Sequence, residues 1–463
     1  MLAAAACAAA AVVMAAPAAA FDSRSEQRNF SKVAERFSDW GAPAYQFDLL
    51  SESAQNFLDG LATQAADPER LFLTDLCWNN GLACAGDIRL NGWQTGGHGR
   101  VEPVLYTARS GATISGHVWM TRRGPKRRPG IVITNGSVQA PEQAYWWAAQ
   151  TLAKAGYVVL TWDPQNQGRS DTLGEGDDTL GGALSQLTGE TFHDGTQDAI
   201  DFLLSGAKEP YCPRPGRSGS SHCDKHQRRV ADGRNAAANP FGRFVDERHI
   251  GLAGHSFGAR GVSVVSQQDK RVDAVVAWDN LADATAGGSA KRLRAPALGF
   301  SNDYALLPTP RSKPPDPLGK NGASLAFSKA RVDTAQLNIR GGTHYEYSYI
   351  AMLPFAATLR GIDLASWYTT AWFDRYLKGD RSADRRLLTR RWQSDAQGRA
   401  VDAAGDGNLF SDTLASRMDI HLKRGGRFRC EDLRTGCPGM RARDGFGGDY
   451  SYLDIALRPD RRP

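Results

Sequence analysis

Between residues 101 and 380 the hydrophobic pattern switches between two periods. Short apolar runs rich in β-branched residues predict strands: GIVIT (130–134), YVVLTW (157–162), HIGLAG (249–254), VDAVVAW (272–278), APALGF (295–300) and AQLNIR (335–340). Amphipathic stretches with helical spacing lie among and after them: AYWWAAQTLAKAG (144–156), HDGTQDAIDFLLS (193–205), a segment from about 256 to 268, and GIDLASWYTTAWFDRYLKG (361–379). Strands that are apolar on both faces, alternating with helices, define the α/β class: a mainly parallel sheet with helices on both faces. Ahead of this rhythm, residues 101–121 predict a hairpin turning at Arg109-Ser110-Gly111.

The rhythm does not fill the chain. Residues 21–100 carry helical spacing at Phe30, Val33, Phe37, Phe57, Leu61 and Leu71, and read as a helical N-terminal extension packed on the main domain, 101–380. Two insertions interrupt that domain, a Gly/Asp-rich one at 163–191 and a second at 206–247. Beyond residue 380 the sequence is rich in Arg, Asp and Gly, so 381–463 is expected to be an irregular, weakly structured C-terminal extension. At the other end Leu2–Ala20 carries no charge, and Ala18-Ala19-Ala20 has the small-residue pattern of a signal-peptidase site. Residues 1–20 are therefore expected to be a signal peptide. No second long apolar run follows, so no stable membrane span is expected.

Composition narrows the function. The 463 residues are 41% hydrophobic, ample for a core and against a wholly disordered chain. The 56 Lys and Arg against 50 Asp and Glu leave a net charge of +6. The basic runs (Arg122, Arg123, Lys126, Arg127, Arg128; Arg385, Arg386, Arg390, Arg391) are short and mixed with acids or prolines, which describes a solvated surface rather than a nucleic-acid face. Of the seven cysteines, Cys7 falls in the signal segment and the others form close pairs, Cys77/Cys84, Cys212/Cys223 and Cys430/Cys437. Locally paired cysteines point to disulfides and an oxidising compartment, outside the cell or in its envelope. Zinc is the alternative at the middle pair, where His222 and His226 flank Cys223.

The chemistry concentrates at Gly254-His255-Ser256-Phe257-Gly258, a G-x-S-x-G sequence between a predicted strand and a predicted helix. Such a turn needs glycines because the serine backbone is strained and neighbouring side chains would collide. It lifts the Ser256 hydroxyl out of the sheet and sets the next amides at a helix N-terminus. The alternative is an ordinary helix start with Ser256 as N-cap. A serine nucleophile requires a base. His344, in the loop Gly341-Gly342-Thr343-His344 after the last predicted strand, falls where the chain order Ser, Asp, His puts it. His255 reads as a packed core histidine, and His193 as a helix cap or pocket wall.

GHSFG, together with the AWDN segment, PALGFSNDYALLP and IRGGTH, resembles the α/β-hydrolase superfamily over about Val101 to Lys378. Within it the likeness is to the neighbourhood of platelet-activating-factor acetylhydrolases, polyester hydrolases and dienelactone hydrolases. The resemblance implies an α/β-hydrolase fold and a serine carboxylic-ester hydrolase, with Ser256 as nucleophile, His344 as base and either Asp279 or Asp303 as acid. Asp303 follows APALGF, the usual place of the acid in the superfamily. Asp279 ends the preceding strand, the place used by some lipases and the acetylhydrolases. The 23 positions from Ser256 to Asp279 fit the latter, whereas polyester-hydrolase spacing falls on Ala305, so Asp279 is favoured.

The oxyanion hole is implied at the amides of Phe257 and Ser137. Polyester hydrolases have an aromatic residue at the latter position, so this departure argues against polyesters as substrates. Trp278 is a candidate pocket wall beside the acid, with sheet packing as its alternative role. The chemistry calls for no metal or organic cofactor. The expected protein is a secreted monomer acting on a small-molecule or lipid ester; a peptidase of the same fold and a non-catalytic binding protein are the alternatives. Loops that follow strands, 163–191, 280–294 and 304–321, are expected to shape the pocket, and the insertion at 206–247 to sit at the opposite end of the sheet. The 280–294 loop is short and polar, which argues against a lipase with a large apolar lid.

Overall fold

A computed structural model of the chain describes residues 43–70, 85–137, 141–179, 189–302, 304, 317–339, 342–348, 359–392, 409–410 and 416–443, besides 24 and 27. The expected signal segment, Cys77, Cys84 and Asp303 lie outside the described residues.

The strands are β1 (Gly99–Thr107), β2 (Thr113–Thr121), β3 (Arg128–Thr134), β4 (Val158–Trp162), β5 (Val245–His255), β6 (Val272–Trp278), β7 (Ala297–Asn302), β8 (Thr334–Ile339), β9 (Thr389–Trp392), β10 (Arg417–His421), β11 (Arg427–Cys430) and β12 (Arg441–Arg443). Among the described residues one large sheet has the order β1-β2-β4-β3-β5-β6-β7-β8-β10-β11, and β9 pairs with β12 apart from it. The central strands from β4 to β8 run parallel. Antiparallel pairs flank them on both sides, β1–β2 and β2–β4 at one edge, β8–β10 and β10–β11 at the other. The sheet is therefore mixed, with a parallel centre.

The helices are α1 (Pro43–Ala65), α2 (Asn91–Thr95), α3 (Trp146–Lys154), α4 (Glu190–Leu204), α5 (Cys223–Ala231), α6 (Phe257–Gln268), α7 (Pro317–Lys329), α8 (Leu359–Leu377) and α9 (Ala383–Leu387). Successive strand residues face opposite layers, which is why the central strands carry apolar side chains on both faces. Ile131, Ile133, Val276 and Trp278 meet Trp147 of α3 and Trp372 of α8 on one face. Val132, Leu252 and Val275 meet Phe202 of α4, Val262 of α6 and Phe327 of α7 on the other. The chain passes from β3 through α3 to its neighbour β4, then through α4 back across β3 to β5. Because α3 and α4 leave for opposite faces, a crevice opens at the carboxyl ends of β3 and β5, the place where open α/β sheets bind ligands.

Two expectations are corrected here. The described residues of the C-terminal part are not an irregular extension: β10 adds to the edge of β8, with Met418 opposite Ala335, and β11 adds to β10. Met418, Ile420, Phe428 and Cys430 join the core. Arginines at alternate positions hid this pattern, since Arg427 and Arg429 face solvent while Phe428 and Cys430 point inward. Arg417 is itself buried, donating to Ser324 Oγ at 2.7 Å and pairing with Glu431 at 2.9 Å.

The insertion at 206–247 does not stay at the far end of the sheet. It climbs the outer edge, where Tyr211 donates to Thr107 O and Ala236 N–H to Leu105 O, both at 2.9 Å. Its tip reaches the end of the sheet where the parallel strands finish: Ser218 and His222 bind the Asp178 carboxylate, and Arg217 pairs with Glu190 and Asp194 at the start of α4. Anchor points at one end of a sheet do not confine the tip of a long insertion. Cys212 and Cys223 are bonded (S–S 2.03 Å), as are Cys430 and Cys437 (2.00 Å). Both sulfurs of the middle pair are thus consumed, and no thiolate is left there for zinc.

The N-terminal extension packs on the main body through ion pairs. Arg70 meets Asp171 at 2.7 Å, and Arg229 of α5 meets Glu69 at 2.9 Å and also Asp67. No helix among the described residues is long and apolar enough to cross a membrane.

Candidate active site

Strand β5 ends at His255 and α6 begins at Phe257, so Ser256 makes the turn alone, at φ +56° and ψ −121°. A positive φ is strained for a residue with a side chain, and close backbone contacts hold it there. A Cβ on Gly254 would lie 2.7 Å from Gly258 O, and one on Gly258 only 2.2 Å from Asn135 O. Glycine is required at both places. The Ser256 N–H is shared between Trp278 O (3.0 Å) and Asp279 O (3.1 Å), which fastens the turn to the end of β6. The Ser256 side chain makes no hydrogen bond to the first-turn amides of α6, so the N-cap alternative does not describe it.

His344 opens a single helical turn, His344–Tyr347, capped by Thr343 Oγ1, which accepts from Tyr345 N–H. Trp147 Nε1–H donates to Tyr347 O at 3.1 Å, and the Tyr347 hydroxyl reaches Ser301 O and Asn302 Oδ1. Held this way, His344 Nδ1 lies 2.7 Å from Asp279 Oδ2. Burial pushes the Asp279 carboxyl up, but the hydrogen bond from His344 and the charges of His344 and Lys320 hold it below the usual carboxylate range. A carboxylate facing Nδ1 keeps the proton there and leaves Nε2 as the basic nitrogen. No hydrogen bond between His344 and Ser256 is formed among the described residues; in resting sites that bond often tightens only with substrate.

The loop after β3 forms the third wall. A Cβ on Gly136 would lie 3.2 Å from Ser256 Cβ, so this backbone runs against the Ser256 turn, and Ser137 follows it in the chain. Gln167 Nε2 donates to Gly136 O at 2.9 Å. The buried Asp163 carboxylate accepts from Glu142 N–H (2.6 Å), Arg169 N–H (2.9 Å) and Asn135 Nδ2 (3.3 Å). It thereby binds the loops after β3 and β4 into one block. Sequence reasoning passed over Asp163; an acid placed directly after a wholly buried strand was the available signal.

Trp278 requires a correction. It is fully buried, donates from Nε1 to Thr369 Oγ1 at 3.1 Å and packs on Trp147, so it belongs to the core between β6 and α8 and not to a pocket wall. Its position on β6 sends it to the face opposite α6. His193 bridges Asp194 (2.9 Å) and Gln268 (2.8 Å), and the hydrogen bond to Asp194 raises its pKa. A cavity of about 120 Å³ lies at the same sheet end, lined by Arg109, Trp162, Asp178, Glu190, Asp194 and Arg217 among others.

A scan against models of known protein families finds no match to this chain, and a search of curated proteins finds none either. What the chain does must therefore be inferred from the site itself.

Proposed function

We propose that the chain is an exported serine hydrolase of the α/β-hydrolase type that cleaves carboxylic esters. The observation that carries this reading is the pair of buried Asp279 and half-buried His344, held at the crevice where Ser256 stands at positive φ between strand and helix. In this reading Ser256 Oγ attacks the ester carbonyl while His344 Nε2 takes its proton. Asp279 stabilises the imidazolium, and the Phe257 and Ser137 amides hold the oxyanion. His344 then protonates the leaving alcohol, and water, activated by the same imidazole, releases the acyl group. Export is supported by the Cys212–Cys223 and Cys430–Cys437 bonds. The 280–294 loop turns Leu281, Ala284, Ala290 and Leu293 inward, which favours small or soluble esters over lipid aggregates.

The test is a series of p-nitrophenyl esters of increasing acyl length beside a peptide p-nitroanilide, with a fluorophosphonate probe mapped by mass spectrometry. Ester turnover and probe attachment at Ser256 are expected, with Ser256→Ala reducing kcat by about 10⁶-fold. A folded chain that neither turns over esters nor takes the probe would overturn the reading. Anilide turnover at ester-like rates would make the enzyme a peptidase instead.

A further inference from the structure

His255, next to the nucleophile, closes a chain of hydrogen bonds that the Ser256–His344–Asp279 set does not use. Gly136 N–H donates to the Tyr145 hydroxyl at 3.0 Å, that hydroxyl lies 2.8 Å from His255 Nδ1, and His255 Nε2 lies 2.8 Å from the backbone oxygen of His344. One arrangement of protons satisfies all three contacts. A carbonyl only accepts, so Nε2 carries the hydrogen. Burial, with the His344 charge alongside, lowers the His255 pKa to about 3, so near neutrality Nδ1 is bare and Tyr145 donates to it. The tyrosine oxygen then accepts the Gly136 N–H on a lone pair. Tyr145 and His255 are 0% and 1% exposed, so water does not compete for these contacts.

We propose that Tyr145 and His255 are positioning residues, forming a bridge that fixes the Gly136–Ser137 backbone relative to the backbone of His344. This rests on the ester-hydrolase reading of Ser256 and His344. The bridge joins the two sides of the crevice: one end grips the loop that carries the oxyanion amide, and the other grips the residue that carries the base. Ser256 sits between them. A Cβ on Gly136 would fall 3.1 Å from His255 Nδ1 and 3.2 Å from Ser256 Cβ, and the His255 and His344 rings lie against each other at a 36° tilt with centroids 4.6 Å apart. Oxyanion donors act only when held in place before charge develops, so a link that removes slack between donor and base acts on the transition state more than on substrate binding. Neutral His255 is also required there, because a second imidazolium against His344 would oppose proton uptake by the base.

The test compares Tyr145→Phe, His255→Gln and the double variant with the wild type on a p-nitrophenyl ester. Tyr145→Phe removes one oxygen; His255→Gln keeps an amide donor and acceptor but bonds both to one carbon, so it cannot set them on the two sides of a ring as His255 does. Each single variant is expected to lower kcat about 10–100-fold with KM changed less than about twofold, somewhat less than the loss of an oxyanion donor itself. The double variant is expected to fall no further than the worse single one, as for residues that act as a unit. Imidazole ¹⁵N shifts of the wild type provide a measurement that does not depend on a variant folding, and are expected to report a neutral His255 protonated on Nε2. Unchanged kcat in both single variants, losses that multiply in the double, or an Nδ1-protonated or charged His255 at neutral pH would each overturn the bridge while leaving an active wild type as an ester hydrolase. A wild type inert towards esters and probe would overturn the hydrolase reading, and the bridge's catalytic role with it.

Discussion

Asp279 Oδ2 accepts from His344 Nδ1 at 2.7 Å in a setting where the carboxylate is nearly sealed from water, at 6% exposure. An amide in its place would offer a donor as well as an acceptor, allowing the imidazole to shift its proton to Nε2, where it cannot act as base. Asp279→Asn is accordingly expected to reduce kcat by about 10⁴-fold with little change in KM, the scale of effect known for loss of the orienting acid. Asp303→Asn is expected to stay near wild type. Steady-state kinetics of the two variants decide between the acids, and loss of most turnover in Asp303→Asn alone would reverse the assignment. At this scale Ser256 and His344 were legible because they sit beside glycines and after apolar strands. The choice between Asp279 and Asp303 was open, since both end or follow strands. Tyr145 could not be found, because a tyrosine in an aromatic-rich helix start looks like any other core residue.

Helix α5 shows how an element can be fixed by a histidine that must stay neutral. His226 Nδ1 accepts from Thr107 N–H at 3.4 Å, and burial, with Arg229 nearby, lowers its pKa to about 4. The unfolded chain takes up this proton near the ordinary histidine value of about 6.5. Between those values the unfolded state binds one proton more than the folded state. The contribution of His226 to stability therefore falls as pH falls through that window, by about 1.4 kcal/mol per pH unit at most. The stability gap between the wild type and His226→Gln is expected to shrink from pH 6.5 to pH 4, as read from urea midpoints at constant ionic strength. A gap independent of pH would show that His226 titrates alike in both states. The predicted central strands and helices correspond closely to β3–β8 and to α3, α4, α6 and α8, because periods of 2 and 3.6 are local properties. The path of the 206–247 insertion was not legible, because polar loops carry no periodicity that says which edge they climb.

On the scale of the whole molecule, the C-terminal strands complete the sheet and should not be separable from it. Ending the chain at residue 392 would remove β10 and β11, bare the β8 edge at Thr334–Gln336, and uncover the core around Met418 and Ile420. Such a chain is expected to aggregate or form soluble oligomers, as read by sedimentation of the expressed protein. A monodisperse, folded product would show that these strands are an accessory. Composition misled here because charged and polar residues outnumber apolar ones in RMDIH and RFRC, and only pairing with β8 gives their few apolar side chains a core to join.

By itself the sequence determined the α/β class, the parallel centre, the strand-to-helix turn at Ser256 and the loop that carries His344, since each depends on residues close together in the chain. Tertiary structure decided that Asp279 meets His344, that Trp278 is core, that the middle cysteines bond in a loop whose tip reaches the carboxyl end of the parallel strands, and that Tyr145 and His255 link Gly136 to His344. These depend on contacts between distant segments, whose partners are set by where the strands stand in the sheet. Local pattern fixes how a strand forms, but sheet order fixes which strand ends face each other.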